Sequence, residues 1–313
     1  MSFDLLPDAT DVALAADRIR DWVRETPIMR ITGPGARPLV LKIETLQRSG
    51  SFKLRGALNK LMALGSDARG GVVTASGGNH GLGVAWAGWL LGVPVSVCVP
   101  ADTPEFKYKA IERANAEIMF IPGGYPEAAI HAQALARSQS LPYVHAYDDA
   151  DVIAGQGTLV REFLEQAPDI STVVVAIGGG GLAAGSVLAA DGRRVVGVEP
   201  KGAPTMASAF ENDAPITLKK IDTLAADALG AGKAGKFTFP ICKAGLDRVE
   251  LVKDAHILDA QKWLWQHLRI VSELGGATGL AAFAQGRCDT DPGPIGVVIC
   301  GGNVDPSTLG HVG

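Results

Sequence analysis

An α/β fold built on open parallel sheets is what this sequence predicts, and three observations carry the expectation. Short apolar runs of strand length alternate with helical stretches along most of the chain, a pattern in which helices connect parallel strands and cover their faces. The 313 residues exceed the usual reach of a single hydrophobic core, so two domains or one large α/β unit are expected. Much of the glycine, 39 residues in all, is clustered at 77–83, 178–185, 230–235 and 301–302. Such clusters mark backbone brought close to a ligand rather than general flexibility.

Taken in order, Asp8 to Val23 carries apolar residues at 12, 15, 16, 19 and 23, one stripe of a helix, and Pro27 ends it and starts an extended arm. Leu39 to Ile43 is a strand. Ser51 stands as the N-cap of a helix that continues through Leu58, Leu61 and Leu64. Gly71 to Ala75 reads as a buried strand that leads through Ser76 to Gly81 into a helix reaching Leu91. Strands at 93–99 and 117–121 alternate with helices at 104–114 and 127–138, and a short strand at 143–145 precedes a helix over 153–166. The second half repeats the alternation, with strands at 171–177, 194–199 and 295–300 and helices at 183–190, 254–271 and 277–285. The stretch 213–248 carries little periodicity, and long irregular segments inside compact enzymes are often functional.

Composition narrows the function classes. A hydrophobic share of 47% with 20% charged residues describes a well-buried globular chain. The formal net charge of −4 leaves no basic footprint for nucleic acid. No apolar run reaches membrane length, and Met1-Ser2-Phe3-Asp4 lacks the basic and apolar regions of a signal peptide. Cys98, Cys242, Cys288 and Cys300 show no CxxC spacing, which argues against a zinc site and against a disulfide framework. A cytoplasmic location is the default expectation.

Three glycine-bearing turns each follow a strand, at 76–81, 178–181 and 301–302, and open parallel sheets bind ligands beyond the carboxyl ends of their strands. Gly178 to Gly181, followed by Leu182 and a helix, suits a phosphate, because bare backbone approaches closely and N–H groups face the anion. The plainer reading is a tight strand-to-helix turn without a ligand. No GK[ST] follows, so this is not a Walker motif. A nicotinamide cofactor is a weaker rival, with Glu199 alone as the acid about twenty residues on. Lys53 falls in the first turn of its helix, where the positive end of the dipole favours a neutral amine, and a neutral lysine attacks an aldehyde. A solvated surface lysine is its plainer reading. Ser76, Asn79 and His80 form a polar cluster at a turn tip, where helix capping would explain one of the three. Cys300 ends a buried strand, where a free cysteine is ordinarily a small hydrophobe. An amine for an aldehyde, a cradle for a phosphate and polar tips to flank an aromatic ring together describe pyridoxal 5′-phosphate.

The chain resembles the serine/threonine dehydratase branch of the fold-type II pyridoxal-phosphate enzymes, the group that also contains serine racemase. The matching pieces are Ser51-Phe52-Lys53-Leu54-Arg55-Gly56-Ala57, Ala75-Ser76-Gly77-Gly78-Asn79-His80-Gly81 and Ala154-Gly155-Gln156-Gly157-Thr158. Further on come Gly178-Gly179-Gly180-Gly181-Leu182, Gly197-Val198-Glu199-Pro200 and Cys300-Gly301-Gly302-Asn303-Val304-Asp305. The resemblance runs from near residue 20 to the C-terminus. It implies two open parallel-sheet domains with the cofactor in the cleft between them, the smaller at 66–149 and the larger combining 1–65 with 150–313. It also implies roles. Lys53 holds the cofactor and then acts as base on the substrate Cα–H, Phe52 packs beside the ring, and Asn79 bonds the ring hydroxyl. Gly178, Gly179, Gly180, Gly181 and Leu182 bind the phosphate, and Cys300 lies next to the pyridine nitrogen. Ser76, Asn79 and His80 offer donors to the substrate carboxylate. Glu273 is retained from a stretch that usually reads Glu-Pro, here Glu273-Leu274. Tyr147 and part of the glycine-rich 227–239 segment, including Asp227, Phe237 and Phe239, are expected to line the substrate side-chain pocket.

Departures from the family pattern carry expectations of their own. Gly77 stands at a substrate-facing position where serine racemase has a second serine serving the opposite face of Cα, so a serine at 77 is expected to raise formation of the D-product. The family's metal ligands are matched by Glu199 and the Ala203 carbonyl, but Thr205 replaces an aspartate; a weakly held divalent cation, or a monovalent one, is the expectation. The length leaves no room for the regulatory domain of biosynthetic threonine dehydratases, which points to a catabolic role. A homodimer follows from the resemblance alone. The expected reaction is elimination of water from a β-hydroxy-α-amino acid, L-threonine or L-serine first, or a bulkier one such as phenylserine or hydroxyaspartate, giving a 2-keto acid and ammonia. Racemisation, β-replacement and a non-catalytic ligand-binding module are the alternatives.

Overall fold

The computed structural model describes residues 6–291 and 293–305, and the signal-peptide reading of Met1 to Asp4 lies outside the described residues. The first half runs α1 (Ala9–Ile19), β1 (Ile28–Thr32), β2 (Pro38–Ile43), α2 (Lys53–Leu64), β3 (Val72–Ala75), α3 (Asn79–Leu91), β4 (Val95–Pro100), α4 (Glu105–Arg113), β5 (Glu117–Ile121) and α5 (Tyr125–Gln139). Then follow α6 (Ala150–Gln166), β6 (Thr172–Ala176), α7 (Gly181–Leu188), β7 (Arg194–Pro200), α8 (Thr205–Glu211), α9 (Ala226–Leu229), α10 (Thr238–Gly245), β8 (Arg248–Val252), α11 (Asp254–Trp263), α12 (Leu274–Ala284) and β9 (Ile295–Ile299).

Two sheets result. One has six strands in the order β1-β2-β9-β6-β7-β8, parallel except at the β1 edge; the other is β3-β4-β5, all parallel. Val173, Val174 and Val175 in β6 and Val297 and Val298 in β9 are fully buried, as expected of central strands covered on both faces. Strands β2 and β9 end together, Ile43 opposite Ile299. The next residue, Cys300, accepts the Phe52 N–H at 3.0 Å. The end of the sheet is thereby tied to the start of the Lys53 helix.

Acids cap two helices: Asp8 accepts from the N–H groups of Thr10 and Asp11, and Asp149 from those of Asp151 and Val152. Ser51 does not cap α2. It forms an antiparallel bridge with Gly301, which moves the helix start on to Lys53 and leaves the Ser51 hydroxyl buried without a partner among the described residues. Residues 143–145 make a single bridge, Tyr143 to Val73, rather than a strand. The long helix foreseen at 254–271 stops at Trp263, passes through one π turn and ends at Arg269, whose φ is 57°. The arm after Pro27 is the edge strand β1, and the unreadable 213–248 stretch holds α9, α10 and the start of β8.

Helix α2 links the two sheets. Its Leu54, Ala57, Leu58 and Leu61 share one apolar cluster with Val72, Val95 and Val97 of the smaller sheet and with Val152 of α6. On the other side α2 meets α6 so closely that a Cβ on Gly155 would stand 2.6 Å from the Gly56 Cα. Arg55 anchors this helix. Its guanidinium reaches Glu44 at 2.7 Å and Glu162 at 2.9 Å, and Lys42 completes the group at 2.5 Å from Glu162. Arg55 therefore belongs to the architecture that holds Lys53, not to the chemistry.

Candidate active site

A cavity of about 490 Å³ opens where the carboxyl ends of β3, β6 and β9 approach one another. Its walls include Phe52 and Lys53, the 76–80 turn, the 178–182 turn, Tyr147, Asp227, Glu273 and Cys300. The three glycine-bearing strand ends thus do converge on one cleft, with Cys300 representing the third.

The Lys53 Nζ donates to the Ala146 carbonyl at 2.7 Å and lies 5.2 Å from the Phe52 ring centroid. Burial pushes its amine down to about 8, while Cys300 and Glu273 pull the other way. Desolvation, more than the helix dipole foreseen from sequence, makes this lysine a nucleophile. Opposing it in chemistry is the 178–182 turn. The N–H groups of Gly178 to Leu182 meet no protein acceptor among the described residues, at the start of α7. Two glycines there are required by their neighbours: a Cβ on Gly179 would lie 2.4 Å from the Tyr147 ring, and Gly180 has φ +98° with Thr238 at 2.8 Å. The glycines let Tyr147 and Thr238 close behind the turn, and the unpaired N–H groups remain for an anion.

The 76–80 turn is polar in a way the sequence only partly foretold. Ser76 Oγ accepts the Gly78 N–H at 3.1 Å and keeps its own proton free to donate. Asn79 donates through Nδ2 to Glu273 and accepts through Oδ1 from Asn303 at 2.7 Å. His80 departs from expectation. Its Nε2 lies 3.1 Å from the Val144 carbonyl, and burial together with Lys53 pushes its ring down to about 3. The ring is neutral, Nε2 holds the proton, and the partnerless Nδ1 is an acceptor. Its side chain therefore offers no donor to a carboxylate; the backbone N–H groups at the start of α3 do.

Cys300 Sγ donates to the Gly275 carbonyl at 3.7 Å, and burial pushes its thiol up, so it stays protonated. Burial pushes the Glu273 carboxyl up to about 7 against the hydrogen bond from Asn79. Tyr147 lines the cleft and donates its hydroxyl to the Lys233 carbonyl at 3.1 Å. Asp227 sits at the rim, paired with Lys107 of α4 at 2.6 Å. Phe237 and Phe239 are not on the cavity wall, contrary to expectation. The Phe237 N–H is held by Asp148 at 2.8 Å and Phe239 packs edge-on against Phe210, so α10 turns them toward the larger core, and of the 227–239 segment it is residues 227–231 that line the cleft.

The cation expectation meets a different chemistry. Glu199 accepts the Met206 and Ala207 N–H groups at 2.7 and 3.0 Å. The Ala203 carbonyl accepts the Thr205 N–H at 2.9 Å, and the Thr205 hydroxyl donates to Ala231 at 2.6 Å. Among the described residues no group of three or more His, Cys, Asp or Glu is arranged for a metal. These residues are engaged in starting α8, they do not fit a cation site as arranged, and no step below uses a cation. Sequence reasoning missed Thr103, Lys107, Tyr125 and Ala146 on the cavity wall. They lie outside the motifs, brought in by α4, α5 and a loop, and no local pattern marks them.

A cleft at strand ends with one depressed amine and a row of unpaired N–H groups defines a site for a phosphorylated aldehyde. The family model described as pyridoxal-phosphate dependent enzyme matches residues 19–301, and the chain belongs to that family, in its fold-type II serine/threonine dehydratase group. It is 36% identical to the L-threonine ammonia-lyase of Geobacter sulfurreducens over 306 residues, which cover 95% of this chain and 76% of that one. It is 34% identical to the phenylserine dehydratase of Ralstonia pickettii over 319 residues, 98% of this chain and 97% of the other. The structure of maize serine racemase matches with a TM-score of 0.93 at 34% identity, over 98% of this chain and 97% of that one. Lyases and a racemase stand at similar distances. Among the described residues no helix is long and apolar enough to cross a membrane.

Proposed function

We propose that this protein removes water from a β-hydroxy-α-amino acid, and that the enamine so formed takes up water to give a 2-keto acid and ammonia. The observation that carries elimination over racemisation lies at Gly77. It has no side chain to bear a proton, and the side chain of Thr103 fills the space beside it, its Oγ1 2.6 Å from where a Cβ would stand. Lys53, its amine pushed down by burial, then lines the cleft as the base.

Bound pyridoxal 5′-phosphate would supply an electron sink at the substrate Cα, held by Lys53, by the N–H groups of Gly178 to Leu182 and by Phe52. The depressed amine of Lys53 exists in part as the free base near neutral pH and takes the Cα proton. Ser76 and the N–H groups of Asn79 and His80 hold the substrate carboxylate and orient that proton toward Lys53. The neutral Cys300 thiol cannot keep a pyridine nitrogen protonated as a carboxylate would. Negative charge at Cα is then stabilised less, which suits prompt departure of the β-hydroxyl as hydroxide, which with the proton removed from Cα makes up the water lost.

L-threonine and L-serine are the first substrates of this reading, which the threonine ammonia-lyase relative supports; the phenylserine dehydratase relative supports a bulkier one. Four buried, unpaired cysteines support a reducing, cytoplasmic setting. A homodimer, and the division of 66–149 from the remainder, belong to the same reading. The test is to incubate the loaded enzyme with L-serine, L-threonine, phenylserine and 3-hydroxyaspartate and follow keto acid and D-isomer. Keto acid from one or two of them is expected to dominate. D-serine formed as fast as pyruvate would make the protein a racemase, and no turnover of any would favour a binding module.

A further inference from the structure

Asn303 ends the Cys300-Gly301-Gly302-Asn303 turn, and its amide is built into place. Its Nδ2 donates to the Ser49 carbonyl at 2.9 Å and to the Asn79 Oδ1 at 2.7 Å. Its own Oδ1 rests against Gly50, which has φ +74° and would place a Cβ 2.2 Å from that oxygen. No other residue could stand at 50 without displacing the amide.

The direction of every hydrogen bond in this chain follows from its two ends. The Ser49 carbonyl can only accept, so the Asn303 atom facing it is nitrogen. That nitrogen donates its second proton to Asn79, whose facing atom must then be oxygen. The Asn79 nitrogen therefore points the other way, with one N–H on the Glu273 carboxylate. Its second N–H has no protein acceptor among the described residues, and Asn79 lines the cavity. Turning the Asn79 amide over would set its Nδ2 against the Asn303 N–H groups, losing that bond, and its oxygen against Glu273, losing the second wherever that carboxyl is ionised.

We propose that Asn303 is a positioning residue, which holds the Asn79 amide so that an N–H rather than a carbonyl faces the cleft, fixing the site to recognise an anionic oxygen on the aromatic ring of the cofactor. This rests on the cofactor reading above, with Asn79 beside the ring hydroxyl. Glu273 holds the Asn79 amide at one end of the chain of bonds, and Gly50 leaves room for the Asn303 amide at the other.

The test compares pyridoxal 5′-phosphate with its analogue lacking the ring hydroxyl, both titrated into apo protein and followed by the visible or near-ultraviolet band of the bound ligand. In the unaltered protein the hydroxyl is expected to contribute about tenfold to about a hundredfold in affinity, as a hydrogen bond to a charged group does. Asn303→Asp replaces the two donated bonds by an acceptor, so Asn79 turns over and the two ligands should bind within about threefold of each other. Asn303→Ala leaves the amide free and should fall between. Borohydride labelling of Lys53 is expected in all three proteins, and circular dichroism checks the fold. Discrimination unchanged in both variants would overturn the proposal while leaving the cofactor reading intact. Should Asn303→Asp not fold, Asn303→Ala decides alone: full discrimination in it overturns the proposal. Failure of the unaltered protein to bind or be labelled would instead remove the cofactor reading on which this rests.

Discussion

Substituting Gly77→Ser tests the reaction type and the packing together. From sequence alone the new hydroxyl would be expected to raise D-serine formation. The structure adds a condition, because a Cβ at 77 would stand 2.6 Å from Thr103 Oγ1 and 2.7 Å from its Cγ2. Thr103 is not free to yield, since its hydroxyl donates to the Pro100 carbonyl at 2.7 Å. Overpacking costs about 1–3 kcal/mol, and breaking that hydrogen bond about 1 kcal/mol more, so Gly77→Ser alone should destabilise by about 2–4 kcal/mol. Thr103→Ala removes both crowding atoms and leaves its Cβ 3.3 Å away, a tight contact that a small shift of either residue relieves. The double variant should therefore be more stable than the sum of the single changes by about 1–3 kcal/mol. Urea unfolding of the four proteins measures that coupling, and chiral analysis of products from L-serine measures D-serine against pyruvate. D-serine should rise in the double variant and not in Gly77→Ser alone. Additivity within about 0.5 kcal/mol would refute the steric argument, and a double variant that still makes pyruvate alone would refute the role given to Gly77.

Lys53→Ala should abolish both the visible band and borohydride labelling, as peptide mapping would record. The rate at which apo protein takes up pyridoxal 5′-phosphate should rise with pH through about 8, not through 10.5, because burial lowers the Lys53 amine; stopped-flow absorbance reads this. The same shift has a sign for stability: between those values the unfolded chain holds more protons, so apo protein should become more stable as pH rises across that window. For Glu199 the sign reverses. Its carboxyl is pushed up to about 8 by burial, so its contribution should be lost as pH rises from 4.5 to about 8, and Glu199→Gln should flatten that part of the urea-midpoint profile. Arg55→Met leaves Glu44 buried without its guanidinium and Glu162 with Lys42 alone, and should cost about 3–5 kcal/mol in urea unfolding, with the Lys53 label retained in whatever fraction folds.

The sequence by itself determined what local pattern can carry. Val173-Val174-Val175 and Val297-Val298 are apolar without interruption, so they had to be central strands. Four consecutive glycines between a strand and a helix suggested a turn open to a ligand, and Lys53 at a helix start suggested the amine. Only the tertiary structure decided how polar atoms are engaged, because a donor or acceptor is defined by the partner opposite it and those partners are remote in the chain. Ser51 lost its capping role to a bridge with Gly301. His80 keeps its one N–H on the Val144 carbonyl, which leaves its buried Nδ1 an acceptor. Phe237 turned away on the pull of Asp148. Glu199 was engaged by the start of α8, which no strand-and-helix period in 200–212 announced. Thr103 beside Gly77 and Asn303 beside Asn79 lie far from their neighbours in sequence, and their meaning comes from distances of a few ångströms that the fold alone sets.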